Sequence, residues 1–187
     1  MPRPRSDEKR AAILEAATRV IVMQGLSAPT MVIAKEAGVA NGSLFTYFAT
    51  KTILFNQLYL EIKMEMASGA MNVPVNTEVR EQFSQLWKKW MNWAIANPDK
   101  RRALAQLSVS DEITPKTRAA GHKIMAHVAD LLERARANGP MKKVSKGFLV
   151  ALMNSVAEAT MDFMTQDPAN EKKHSKEGFD ALWRMLS

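Results

Sequence analysis

Cysteine is absent from this chain of 187 residues, and so is any long uninterrupted apolar run. Without cysteine there is no disulfide, zinc–thiolate site or thiol nucleophile, and the composition suits a reducing compartment. A membrane-spanning helix needs about 20 consecutive apolar residues, and no stretch approaches that length. The basic start, MPRPRSDEKR, leads into an amphipathic pattern, which argues against a signal peptide. A cytoplasmic location is therefore expected.

Patterns of catalytic and metal-binding residues are also missing. Of the three histidines, His122 and His127 are five residues apart, which does not place two ligands on one face of a helix. No acidic cluster completes a metal site. The glycines at Gly38 and Gly42 belong to a turn, not to a nucleotide-binding loop. Neither an enzyme nor a bound metal or cofactor is expected.

What the chain does contain is apolar residues, 47% of the total, and a net charge of +7. The apolar share is ample for a core. Residues 1–51 hold seven basic residues against four acidic ones, and a basic surface suits an anionic partner. Arg3 and Arg5 lie in a proline-containing start over residues 1–5. This start is either a solvated terminus or an arm that contacts phosphates or a minor groove.

The stretch from Thr30 to Lys51, TMVIAKEAGVANGSLFTYFATK, has the outline of a helix-turn-helix. Thr30 is a candidate N-cap for a first short helix through Ala37, and Gly38 supplies a tight turn. Asn41 is a candidate cap for a second short helix. In such a motif the second helix enters the major groove of DNA.

The second short helix is predicted to have a buried face and a presented face. Leu44 and Phe48 are four residues apart and are expected in the core. Phe45 either packs sideways or touches a thymine methyl group. The opposite face carries small and polar residues that allow close approach to phosphates or base edges: Asn41, Gly42, Ser43, Thr46 and Tyr47.

Residues 30–55 resemble the signature of the TetR family of one-component transcriptional regulators at nearly every fixed position. Phe45 stands where that family usually has tyrosine. More narrowly, the PRP-S start, the VIAKEAGVANGSLFTYFATK core and the ATMDF and DPA segments resemble RamR-type regulators of multidrug efflux.

This resemblance implies roles for particular residues. Lys51 resembles a family lysine that contacts a DNA phosphate, and Tyr47 resembles a phosphate-contacting aromatic residue. Thr30 resembles the residue that caps the helix toward the DNA backbone, with a purely structural cap as the alternative. The remaining positions that correspond to the recognition helix are Asn41, Gly42, Ser43, Phe45 and Thr46.

The resemblance also implies an organisation for the whole chain. Residues 1–50 are expected to form the DNA-binding domain, and residues 51–187 a domain for ligand binding and dimerisation. A homodimer is expected through the two last long helices, roughly 145–166 and 170–186. Such a dimer presents two recognition helices about one DNA turn apart, which predicts a palindromic operator.

Helical periodicity and stop signals predict an all-α protein of about nine helices. An apolar-periodic helix ends at Gly25, which is a left-handed cap candidate. Beyond Lys51 the predicted segments are a helix to about Ser68, a loop over Gly69–Asn76, a helix over Thr77–Asn97, a shorter one over Pro98–Ser110, a long one from Thr114-Pro115 to Asn138-Gly139, one from Ser145 to about Gln166, and a final one after Asn170.

Two helices of the body carry candidate ligand contacts. Trp87, Trp90 and Trp93 on one helix are either core residues or the wall of a pocket for a flat, apolar or cationic ligand. Glu158 and Asp162 share a face of another helix. These carboxylates are a solvated stripe, part of an ion pair between subunits, or an anionic lining for a cation. The full predicted set is Tyr59, Met66, Trp87, Trp90, Glu158, Asp162 and Phe163.

The leading hypothesis is a dimeric DNA-binding repressor that a small effector, hydrophobic or cationic, releases from its operator. Methionines along the body helices would give such a pocket adaptable walls. The rival hypothesis is an effector-free DNA-binding or protein-binding helical module whose aromatic stripe is a core filled by side chains.

Overall fold

The computed structural model describes residues 5–70 and 77–187. The basic arm predicted over residues 1–5 lies outside the described residues, apart from the backbone of its last member. Most of the predicted loop over Gly69–Asn76 also lies outside them.

Secondary structure within the described residues is entirely helical, which confirms the all-α prediction. A short 3-10 helix, Pro168–Asn170, precedes the last α-helix. The α-helices are α1 (Arg5–Gln24), α2 (Thr30–Glu36), α3 (Asn41–Tyr47), α4 (Lys51–Ala70), α5 (Val79–Ala96), α6 (Pro98–Ser108), α7 (Pro115–Ile124), α8 (Ala126–Arg136), α9 (Lys146–Gln166) and α10 (Glu171–Leu186). None of the helices described is long and apolar enough to cross a membrane.

Glycine and serine end and begin helices where the sequence predicts. Gly25 and Gly38 have φ angles of 77° and 66°, a left-handed conformation that glycine adopts without steric cost. The Ser145 side chain accepts a hydrogen bond from the backbone N–H of Phe148 and thereby caps α9. These local signals are confirmed.

The predicted caps of α2 and α3 are wrong by one residue. Thr30 and Asn41 are the first helical residues, and Pro29 and Ala40 occupy the cap positions with extended ψ angles of 146° and 145°. Neither cap position makes a side-chain hydrogen bond. Pro29 holds its own φ at −63° and has no side-chain acceptor, so the turn into α2 is set by backbone restriction instead of by a threonine cap.

The long helix predicted from Pro115 to Gly139 is also wrong, because it is interrupted at Met125. This residue has φ −91° and ψ 12°, which lies outside the helical range, and its carbonyl begins the ladder of α8 by accepting from Ala129. The interruption accounts for the ten α-helices found in residues 5–70 and 77–187, where about nine are predicted for the chain.

The chain divides into two compact units. One comprises the residues up to Met64 together with Pro98–Lys123, and the other comprises Glu65–Asn97 together with Ile124–Ser187. The functional division predicted at residue 50 stays a prediction.

In the first unit, α1 packs against α2 and α6, and α2 packs against α3. Asn56 on α4 is buried and has all its hydrogen-bonding groups paired. Its amide N–H groups donate to the carbonyls of Thr52 and Glu112, each at 2.7 Å, and its oxygen accepts from the backbone N–H of Thr114 at 3.0 Å. The segment that joins α6 to α7 is thereby fixed to α4.

In the second unit, α9 packs against α10, and α5 packs against α8, α9 and α10. One hydrophobic cluster unites these four helices. Its aromatic part includes Phe179, whose ring stacks on Trp183 at 6.2 Å and lies 6.4 Å from Phe83. Phe83 and Trp87 of α5 thus belong to the core of this unit, whereas Trp90 and Trp93 are partly buried against it.

Candidate nucleic-acid interface

The turn between α2 and α3 is fixed by backbone hydrogen bonds that its glycine makes possible. The N–H of Gly38 donates to the carbonyl of Lys35 at 3.1 Å, and the N–H of Val39 donates to that of Ala34 at 3.0 Å. This pair of bonds is a Schellman motif, and it requires a left-handed residue at Gly38. The direction in which the chain enters α3 follows from it.

Two side chains anchor α3 to the first unit. Leu44 and Phe48 are completely buried, as predicted. Because they lie four residues apart, they hold one face of the helix inward. The other face is exposed at Asn41, Gly42, Phe45 and Thr46, and half-buried at Ser43 and Tyr47. The residues predicted for the recognition helix are therefore grouped on the presented side of a single short helix.

Gly42 has no explanation inside the described part of the chain. Its φ is not positive, and a Cβ atom built on it would meet nothing within 4 Å. Glycine inside a helix costs roughly 0.5–1 kcal/mol relative to alanine. Gly42 is therefore unfavourable for its helix and is not required by its neighbours. Close approach of an external partner to the backbone would explain why glycine is present here.

Lys51 is the first residue of α4 and follows the last residue of α3, Tyr47, by four positions. The first turn of α4 contains no acidic residue of its own. The Thr50 hydroxyl caps the helix by accepting from the backbone N–H of Ile53 at 3.1 Å, and the exposed Glu112 carboxylate accepts from the Thr52 hydroxyl at 2.5 Å. The Lys51 ammonium lies 5.4 Å from the centroid of the Phe55 ring. The electrostatic interaction of a cation with this end of a helix is unfavourable by itself. An anion bound beside it would make favourable contacts with both the ammonium group and the helix N-terminus.

Arg10 of α1 is a positioning residue that the sequence does not single out. Its guanidinium donates to Glu61 at 2.5 Å and to Gln57 at 2.8 Å, both on α4, and lies 5.6 Å from the ring of Phe48, the residue that follows α3. This side chain therefore links α1 to α4 and to the residue that follows α3. Arg10 lies three residues before buried Ile13, at the edge of the core-facing side of α1. No local sequence pattern indicates its partners, because they lie about 50 residues away in the chain.

Thr30 is half-buried at the start of α2. At the other end of α2, Glu36 accepts a hydrogen bond from Arg19 of α1 at 2.7 Å in an exposed ion pair. Thr46 of α3 donates a long hydrogen bond, 3.5 Å, to the carbonyl of Gly42. The DNA contacts predicted for these side chains stay predictions.

The candidate ligand residues fall into different parts of the structure. Tyr59 belongs to the first unit, where it is 4% exposed and lies against Gly121. Burial raises the pKa of the Tyr59 hydroxyl, and the nearby charge of Arg118 partly offsets this. The Lys63 ammonium lies 5.6 Å from the Tyr59 ring, and desolvation lowers the pKa of Lys63.

The second unit contains the other candidates. Trp87 is 2% exposed, lies 6.1 Å from Trp90 in an edge-to-face arrangement, and donates its indole N–H to the carbonyl of Ser175 at 2.9 Å. Met66 is half-buried. The side chains on the outer face of α9 are exposed instead: Glu158, Asp162 and Phe163. A ligand pocket formed by these residues stays a prediction.

A depression of about 400 Å³ is lined by residues 168–173, between α9 and α10. None of its lining residues is a predicted ligand contact. Among the described residues, no group of three or more histidine, aspartate or glutamate side chains is arranged to hold a metal ion.

Comparison with known proteins identifies relatives of both the interface and the whole fold. Residues 13–58 match the family described as "Bacterial regulatory proteins, tetR family". The HTH-type transcriptional regulator YhgD of Bacillus subtilis is 36% identical over 66 residues, which cover 35% of each chain. The match thus spans about a third of the length of this relative.

Solved structures resemble the chain over nearly its full length. A tetR family transcription regulator from Shewanella sp. PV-4 is 28% identical, with a TM-score of 0.82 over 94% of this chain and 96% of the other. The TetR-like regulator LfrR of Mycobacterium smegmatis, solved in complex with proflavine, is 16% identical, with a TM-score of 0.68 over 94% of this chain and 95% of the other. The second likeness shows the fold alone.

Replacing Gly42 with alanine separates stability from binding. Because the site is open and helical, Gly42→Ala is expected to raise the free energy of unfolding by about 0.5–1 kcal/mol. The added methyl group would obstruct a closely approaching duplex, so affinity for DNA should fall. Urea unfolding and fluorescence anisotropy with labelled duplex measure the two effects. A variant that is both more stable and equally tight in DNA binding would contradict the assignment of this surface.

Proposed function

We propose that this protein represses transcription as a dimer on a palindromic operator and that a small effector releases it. The premise is that the chain carries the DNA-binding domain of the TetR family and the fold of its regulators. The observation that carries the proposal is the exposed, uncharged face of α3 with open Gly42 at its centre. We further propose that it acts in the cytoplasm.

The DNA-binding part of the proposal assigns α3 to the major groove. Small side chains at Gly42 and Ser43 allow the helix to approach base edges closely, and Asn41 and Thr46 supply hydrogen-bonding groups. Lys51 then lies at the end of α4 that favours an anion, where a backbone phosphate would bind. These positions agree with the family roles that the sequence implies.

The dimer is proposed through α9 and α10. Along α9, Phe148, Ser155, Ala159 and Phe163 recur at helical spacing on the outer face, and both phenylalanines are 58% exposed. A surface helix that exposes two phenylalanines among small side chains is typical of a subunit interface. The twofold axis of such a dimer would set the recognition helices about 34–36 Å apart.

The effector is proposed to bind in the second unit, beside its aromatic cluster. Trp90 is only partly buried there, and flexible methionines such as Met153 and Met161 line the same cluster. Flat, apolar or cationic molecules suit such surroundings. Since the chain also resembles RamR-type regulators, we propose that it controls a multidrug-efflux gene.

The alternative is an effector-free module that binds DNA or a protein. The close packing of Trp87, whose indole N–H is already bonded to Ser175, favours this alternative over a pocket at Trp87 itself. It does not bear on the partly buried ring of Trp90.

Salt dependence tests the DNA-binding proposal. The purified protein is expected to bind a palindrome from its own upstream region more tightly than random duplex, with affinity that falls steeply as salt rises. Lys51→Ala should weaken binding to all sequences alike and reduce the salt slope by about one for each chain. Lys88→Ala, an exposed lysine of α5, is the control and should leave both unchanged. Equal affinity for palindrome and random duplex would reject the proposal.

Charge placed on the outer face of α9 tests the dimer. Phe148→Asp combined with Phe163→Asp is expected to produce monomers in sedimentation velocity at micromolar concentration, because four carboxylates would face one another across the interface. Val109→Asp is the matched control, since Val109 is 84% exposed and lies in the first unit. A doubly substituted protein that still sediments as the wild-type dimer would exclude this interface.

Proflavine, a planar cation, tests the effector proposal. It is expected to release the protein from its operator, and Trp90→Leu should raise the concentration needed by about three- to tenfold through loss of the aromatic face. Trp90→Phe keeps a ring and should respond nearly as the wild type does. Anisotropy of the labelled operator reports the release. Identical titrations of the leucine and wild-type proteins would rule out Trp90 as a ligand contact.

A further inference from the structure

Phe45 is an aromatic residue that the first unit leaves at the surface. Its side chain is 41% exposed, although Leu44 before it and Phe48 after it are completely buried. Phe48 lies beside the Arg10 guanidinium and Phe55 beside the Lys51 ammonium. The Phe45 ring has no such cationic or aromatic contact within the described residues. Exposure of an apolar ring to water is unfavourable, so covering the Phe45 ring with a binding partner would be favourable.

The neighbours of Phe45 on the helix determine what can cover it. Asn41 and Gly42 precede it by four and three residues, so the three positions form one strip along the presented face of α3. Gly42 adds no side chain to this strip, and the space above it is open to 4 Å. A flat group can therefore lie against the edge of the ring and the bare backbone together.

The strip has the chemistry of one particular base edge. In the major groove, the apolar group that a base presents is the 5-methyl group of thymine, and phenylalanine is among the residues that contact it. We propose that Phe45 reads a thymine in each half-site of the operator by packing against its 5-methyl group across Gly42. This inference rests on the proposed function, since it requires that α3 enter the major groove.

The experiment removes the methyl group from the DNA, which leaves the fold of the protein untouched. A duplex selected by the full-length protein from a random library is resynthesised with deoxyuridine replacing one thymidine at a time, symmetrically in both half-sites. At one position the affinity is expected to fall roughly fourfold for each methyl group, or on the order of 15-fold for both half-sites. Uracil elsewhere should have little effect.

Protein variants assign that effect to the ring. Phe45→Ala should bind the thymine and uracil duplexes equally at the sensitive position, whereas Phe45→Tyr keeps the ring and should keep the discrimination. Because Phe45 is exposed, both variants are expected to unfold at the wild-type temperature, which circular dichroism checks.

Two results would overturn the inference. One is a selected duplex that loses no affinity at any uracil position, which would leave the ring to a protein partner. The other is a Phe45→Ala variant that discriminates thymine from uracil as the wild type does. Failure to select any duplex would instead refute the proposed function, and the inference with it, so the two failures are distinguishable.

Discussion

The anchoring of the seven-residue helix α3 is the constraint on which the proposed DNA-binding face depends. Isolated helices shorter than about 12–15 residues are marginal in water, so α3 cannot hold its own shape. Its conformation is imposed at the start by the turn at Gly38 and along its length by the burial of Leu44 and Phe48. The positions of the exposed α3 side chains depend on these contacts. Loss of either anchor would make those positions less well defined, although the side chains themselves would be unchanged.

The polar contacts around α3 contribute more to the relative placement of the helices than to the stability of the fold. The ion pair of Arg10 with Glu61 is about one-third exposed on both sides, and such pairs add little to stability. Yet Arg10 also bonds to Gln57 and lies over the ring of Phe48, so one planar group links α1 to α4 and to the C-terminal end of α3. Asn56 does the same for the segment that follows α6.

Local periodicity predicted much of this structure, and the failures share a physical cause. The burial of Leu44 and Phe48 follows from their spacing, which any amphipathic helix shows. The break at Met125 has neither proline nor glycine to announce it, and it falls beside the boundary between the two units. Likewise, the partners of Asn56 lie 56 and 58 residues away in sequence, and only the folded chain brings them together. Distant pairings of this kind are what a single sequence does not display.

The distribution of charge around α3 separates affinity from sequence preference. The helix NGSLFTY contains no charged side chain, so its face adds no attraction for phosphates beyond short-range contacts. In the proposed complex, attraction would come from flanking positions such as Lys51, and this attraction would be nearly independent of the DNA sequence. Under the proposed function, selection among sequences is left to the hydrogen-bonding groups of Asn41 and Thr46 and to the fit of base edges against open Gly42 and exposed Phe45. Substitutions at the flanking lysine are therefore expected to change how tightly DNA is held, and substitutions on α3 are expected to change which DNA is held.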